Sequence, residues 1–180
     1  MARPREFDRA TALHRAMTAF WEHGGFDRTS ISRLTVAMGI SSPSLYAAFG
    51  GKRRLFDEAV AHYADRPTVP VAQALSAPTA REFLRRTLDL AVEEYTSVDH
   101  PLGCLINSDP LLADRRTEGG AVIADRLRAA DDLPEPADPE ALAEFVVVIL
   151  NGLAARARDG VPRERLRAVA DIALRVWPEP

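Results

Sequence analysis

Between residues 7 and 64 the chain repeats one device: an apolar stripe at three- and four-residue spacing, with glycine closing the first three of four. Phe7, Ala10, Leu13, Ala16/Met17 and Phe20/Trp21 form the first stripe over 7–23, the period of an amphipathic helix. Gly24-Gly25 ends it, because the chain past a helix end turns left-handed and glycine carries no Cβ to resist. Thr29 or Ser30 can cap a second short helix, with Ile31, Leu34 and Met38 inward and Gly39 as its end. Ser41 or Ser42 caps a third, with Pro43 in the first turn, where a missing N–H costs nothing. Leu45 and Phe49 form its buried edge, and Gly50-Gly51 stops it. A fourth helix starts near Lys52 with Leu55, Phe56, Ala59 and Val60 inward.

The same helical period returns after the Pro/Ala stretch 66–80, where patterning lapses. That lapse predicts two domains, 1–66 and 67–180. Residues 79–98 predict a long helix with Phe83, Leu84, Leu88, Ala91, Val92 and Tyr95 inward. Pro101 and Gly103 introduce a short apolar turn, and Asp109-Pro110 opens a helix to about Ala129, irregular at Gly119-Gly120. DDLPEPADP (131–139) reads as a loop, 139–158 as a strongly apolar helix, and Pro162 opens the last one. In that last helix Leu166, Val169, Ala173, Val176 and Trp177 fall inward. No stretch alternates with period two long enough to claim a sheet, so the expectation is an all-α fold of about nine helices.

Composition narrows the function classes. Hydrophobic residues make up 47% and charged ones 27%, the balance of a soluble chain with a sizeable core. One cysteine rules out an intramolecular disulfide framework and any cysteine-rich zinc module. No apolar run approaches the ~18 residues that span a bilayer, and MARPREFDRATALHRAM lacks the apolar core of a secretory signal. The expectation is a cytoplasmic protein without membrane, metal or cofactor. The net charge of −3 hides an asymmetry. Residues 1–66 carry ten Arg/Lys against seven Asp/Glu, whereas 67–180 carry thirteen against nineteen. A basic module on an acidic remainder fits a local nucleic-acid footprint.

The informative segment is Thr29–Lys52. Its two short helices meet at Met38-Gly39-Ile40-Ser41, a helix-turn-helix signature in which the second helix enters the major groove. Ser42, Pro43, Ser44, Ala47 and Ala48 are small enough to lie against base edges, while Leu45 and Phe49 anchor the back. Tyr46 and Lys52, the only lysine, can reach phosphates, which fix register without reading sequence. The start of the fourth helix also offers N–H groups to a phosphate.

This segment resembles the N-terminal domain of TetR (tetracycline-repressor-like) transcriptional regulators. It supplies Gly25-Phe26, Thr29-Ser30, Ile31/Leu34, Gly39-Ile40-Ser41, Leu45-Tyr46 with Phe49, and Lys52 with Leu55, in the family's order and spacing. Thr35 stands where alanine is usual, and Gly51 where Asp, Asn or Ser is common. The match covers about residues 7–64, roughly a third of the chain. The resemblance implies that Ser42, Pro43 and Ala47 face bases and that Thr29, Ser44, Tyr46 and Lys52 contact phosphates. Ser32 falls at a groove-facing position of the preceding helix. Few of these side chains can hydrogen-bond a base, so specificity is expected from thymine methyls, DNA shape, or an arm carrying Arg3, Arg5 and Arg9. Those three arginines read equally well as a solvated tail.

By the same resemblance the remaining helices bind a small-molecule effector and form a homodimer, as a repressor on a near-palindromic double-stranded operator. The apolar helix at 139–158 independently implies burial on more than one face. The expected dimer residues are Leu142, Val146, Leu153, Leu166, Val169, Ala173 and Trp177. Tyr95, Cys104, Leu105, Asn107, Ser108, Leu111, Leu112, Phe145 and Ile149 are the candidates to line an effector pocket. The P–x–G–C–L run at 101–105 resembles a subset of these regulators, some of which use that cysteine to sense electrophiles or oxidants. The alternatives are a buried cysteine acting only as a small hydrophobe, a thiolate steadied by an arginine or His100, and a small helical enzyme. Against the enzyme, His14, His23, His62 and His100 lack metal-ligand spacing. No dinucleotide, Walker or nucleophile-elbow motif is present, and no catalytic residue is expected.

Overall fold

A computed structural model describes residues 8–66, 69–133 and 135–175. Every regular element among them is helical, ten α-helices and one 3-10 turn. The chain divides after Arg66 into two compact units.

The first unit holds α1 (Arg9–His23), α2 (Ile31–Met38), α3 (Ser42–Phe49) and α4 (Lys52–Ala64). Each of the first three starts on a side-chain cap: Asp8, Ser30 and Ser41 accept from the backbone N–H of Ala10, Arg33 and Ser44. Of the two hydroxyl pairs left open by local sequence, Ser30 and Ser41 do the capping. Phe20, Trp21, Leu34, Leu45, Leu55 and Phe56 lie at the centre of the core with 1% exposure or less. Phe20 meets Phe56 edge-on at 4.9 Å and Trp21 meets Tyr63 at 5.0 Å. Such edge contacts are worth about 0.5–1.5 kcal/mol beyond the buried area. The α2–α3 turn needs Gly39, which sits at φ 69° while the next N–H, from Ile40, donates to Thr35 O at 3.1 Å.

The second unit contains α5 (Pro70–Ala74), α6 (Ala80–Tyr95), α7 (Leu105–Ser108), a 3-10 turn (Pro110–Leu112), α8 (Ala113–Arg128), α9 (Pro139–Arg158) and α10 (Arg163–Leu174). Helix α6 is central and packs on α5, α9 and α10, while α8 lies along α9. Helix α5 is the element beyond the nine expected. It forms where the pattern lapses because Pro70 suits a first helical position and Ala74 buries against the rest. The expected irregularity at Gly119-Gly120 is absent, since α8 runs straight through both. Glycine costs a helix about 1 kcal/mol, and the flanking turns of α8 carry the helix through both positions. A Cβ on Gly120 would touch only Val147 Cγ2, at 3.4 Å, and one on Gly119 nothing. Among the described residues no helix is long and apolar enough to cross a membrane.

Helix α6 starts on two caps, Thr79 Oγ1 for Glu82 N–H and the Asp132 carboxylate for Ala80 N–H at 2.8 Å. Hydrogen bonds from Arg85 and then Arg86 hold the Glu82 carboxyl at about 2, against an ordinary 4.5. A depressed folded pKa means stability present above the unfolded value and lost as pH falls through the folded one. Glu82→Gln should therefore flatten the loss of stability between pH 4.5 and about 2. Acid titration of helical circular dichroism checks this, and an unchanged curve would refute it.

Candidate nucleic-acid interface

Helix α3 buries Leu45 and Phe49 and exposes Ser42, Pro43, Tyr46 and Ala47, with Ser44 half-buried. The eight-residue helix therefore has an anchored back and a front of small side chains plus one phenol, Tyr46 at 55% exposure. The hydroxyls of Ser41 and Ser44 meet at 2.9 Å, so Ser44 is tied to the cap rather than free. Ser32 is exposed on α2. Thr35, where alanine is usual, donates its hydroxyl to Ser32 O at 2.9 Å and so leaves no unmet polar group.

Lys52 opens α4 with its ammonium 4.2 Å above the centre of the Phe26 ring. That cation–π contact confines a side chain with many rotamers to one region. The motif signalled the lysine but not the aromatic shelf beneath it. Gly51 gives α4 no side-chain cap, and its φ of 123°, a conformation that side-chain-bearing residues rarely adopt, makes glycine the fitting residue.

Two expectations need correction. Thr29 is fully buried and donates its hydroxyl to Gly25 O at 2.7 Å, so it braces the turn before α2 and presents nothing outward. Arg9 is not part of a loose arm. It belongs to α1, and its Nη2 reaches both carboxylate oxygens of Glu58 at 2.7 and 2.9 Å. Arg3 and Arg5 lie outside the described residues.

In the second unit Tyr95 is fully buried, with its phenol in hydrogen-bonding contact with the side chains of Cys104 and Asn107. Burial, and next the neighbouring Cys104 and Glu94, pushes the Tyr95 hydroxyl well above its ordinary range, so it stays a neutral phenol. Ser108 donates to Cys104 O, and Leu105 and Leu112 are buried alongside. Phe145 and Ile149 are half-buried on α9. His100, expected as a possible thiolate partner, is held by Glu94 Oε1 at 3.2 Å and by the Pro101 carbonyl. Leu111 departs from the expected pocket: it is 46% exposed, turned out by the 3-10 turn. A cleft of about 510 Å³ opens between α8 and α9, lined by Thr117, Gly120, Glu144, Val147 and Asn151 among others, and by none of the expected pocket residues.

The expected dimer residues also divide. Val146, Leu153, Leu166 and Ala173 are buried inside the unit and so are core positions, while Leu142 is half-buried. Val169 is exposed, and Trp177 and Val176 lie outside the described residues. The outward apolar side chains of α9 and α10 are Val169 at 45%, which was expected, with Val148 at 56% and Ile172 at 61%, which were not. A helix apolar all round gives no phase to its stripe, so the sequence of α9 does not tell its inner face from its outer one.

A glycine-capped helix-turn-helix with an exposed second helix, joined to a separate helical unit, defines a regulator of the helix-turn-helix class. Residues 12–59 match the family model for bacterial regulatory proteins of the tetR family. The HTH-type transcriptional repressor ComR of Escherichia coli K12 is 32% identical, over 98% of this chain and 92% of that protein. The repressor BdcR of the same organism is 30% identical over 95% and 89%. Among solved structures, a cysteine-substituted TetR family regulator CifR with 26-bp double-strand operator DNA is 43% identical, with a TM-score of 0.90, covering 98% of this chain and all of that one. The chain belongs to the TetR family of transcriptional regulators.

Proposed function

We propose that the protein is a homodimeric, ligand-responsive repressor that places two α3 helices in successive major grooves, about 34–36 Å apart, of a near-palindromic operator. The observation that carries it is the front of α3, with Ser42, Pro43, Tyr46 and Ala47 exposed together and Lys52 poised beside it. The operator complex of the 43%-identical CifR supports the same reading. Ser44 and Ser32 complete the contact surface, and such a regulator works in the cytoplasm, where it meets DNA. The test is anisotropy titration against duplex upstream of the protein's own gene. Affinity should fall steeply with salt as counterions are released, and a flat response would refute the phosphate contacts.

Dimerisation through the outer face of α9 and α10 fits the family reading. Val161, Val169 and Ile172 there border an apolar groove of about 330 Å³. Ile172→Glu should turn the dimer into a folded monomer in sedimentation, whereas a retained dimer would move the interface elsewhere.

For the effector, the supporting observation is the cluster of buried Tyr95 and Cys104 with half-buried Asn107, from α6, the cap of α7 and α7 itself. A neutral phenol and an amide beside a thiol offer donors to a polar group on an otherwise apolar ligand. Sensing through Cys104 is the second reading. Loss of operator release in Cys104→Ser, after oxidants or electrophiles, would support it; release as in the wild type would discard it.

A further inference from the structure

The capping of α3 is unequal at its two ends. Its start is closed by Ser41, but its last carbonyls, like those of any helix, have no partner within it. Gly50 N–H serves Tyr46 O, and Arg9 reaches across from α1 to serve Ala48 O, through Nε and Nη2 at 3.4 Å each. The same guanidinium stacks on the ring of Phe49, the last residue of α3, with Cζ 4.4 Å from its centre. Glu58 of α4 holds the same Nη2 with both carboxylate oxygens. One cation thus joins α1, α3 and α4 at the end of a helix that has only Leu45 and Phe49 to anchor it. A positive charge there also complements the negative end of the helix dipole.

We propose that Arg9 is a positioning residue for the recognition helix: clamped by Glu58, it caps and stacks on the end of α3 and so sets the angle at which α3 meets DNA. This rests on the DNA-binding reading above. It differs from a phosphate contact in sign. Glu58 supports a clamp, but it would compete with phosphate for a guanidinium that binds DNA directly. It also differs from a general charge effect, because an ammonium cannot cap, stack and ion-pair with one planar group.

The experiment uses the full-length protein and duplexes that the wild type enriches from a random 30-bp pool. Arg9→Ala, Arg9→Lys and Glu58→Gln are titrated over a salt series, at a temperature where circular dichroism shows each fully folded. Both Arg9 variants should lose about fivefold in affinity, the order of one well-formed surface pair, and Glu58→Gln should lose in the same direction. The dependence of log K on log salt should keep its slope. Wild-type affinity in Arg9→Lys, tighter binding by Glu58→Gln, or a slope smaller by about 0.9 per protomer would each overturn the clamp. A wild type that enriches no duplex would instead overturn the DNA-binding reading, and the clamp's role with it.

Discussion

Lys52→Ala is expected to weaken operator binding by about ten- to a hundredfold for a dimer, equally across operator variants, with the salt slope falling by about two. The expectation follows from geometry rather than from charge count. Of 23 Arg and Lys residues, Lys52 is the only lysine, and it stands on the first residue of α4 with its ammonium seated on Phe26. The cation–π contact leaves the charge intact while removing most of the side chain's freedom, so little entropy remains to be lost on binding. Phe26→Leu should therefore show a smaller loss in affinity with an unchanged slope, because the charge survives and only its placement suffers. Equal slopes for Lys52→Ala and the wild type would remove the phosphate assignment.

The second large effect concerns stability. Gly103→Ala is expected to cost about 2–4 kcal/mol, from a left-handed backbone penalised by roughly 1–2 kcal/mol and a clash that adds the rest. Gly103 has φ 79°, and a Cβ on it would stand 2.6 Å from the Ala154 carbonyl oxygen of α9. Neither side can give cheaply, since both are backbone, and Gly103 N–H is already committed to Tyr95 O at 2.8 Å. The loop before α7 is thus pinned to α6 and α9 at one residue, and the pin sets where Cys104 meets Tyr95. Urea unfolding measures the cost, and the thiol of Gly103→Ala should react faster with a disulfide reagent than the buried wild-type Cys104. Gly119→Ala is the control: its Cβ would meet nothing within 4 Å, and it should be neutral or slightly stabilising. A Gly103→Ala protein as stable as the control would refute the close approach.

The bounds and buried edge of α3 are legible in the sequence because their determinants are local. Leu45 and Phe49 stand one turn apart, the capping serine lies just before them, and glycine follows. Local signals were silent where two neighbours offered the same chemistry. Thr29 and Ser30 both carry a hydroxyl, yet one is fully buried against Gly25 and the other caps α2. Helix α9 defeated the period for a different reason. With FVVVIL apolar on every side, no stripe distinguishes Val146, which is buried, from Val148, which is exposed. Arg9 reads as a free cation in sequence because its partner, Glu58, is 49 residues away.

The apolar stripes thus settle how many helices residues 8–64 form, and glycine settles where the first three stop, while α4 ends at Asp65 without one. Caps, turns and i to i+4 contacts act within a few residues, so they are written in the order of the chain. Which face of α9 is inward, which arginine is clamped and which hydroxyl is spent in the core depend on side chains brought together across the fold. Burial and ion pairing are decided by neighbours in space, and those neighbours exist only once the helices have packed.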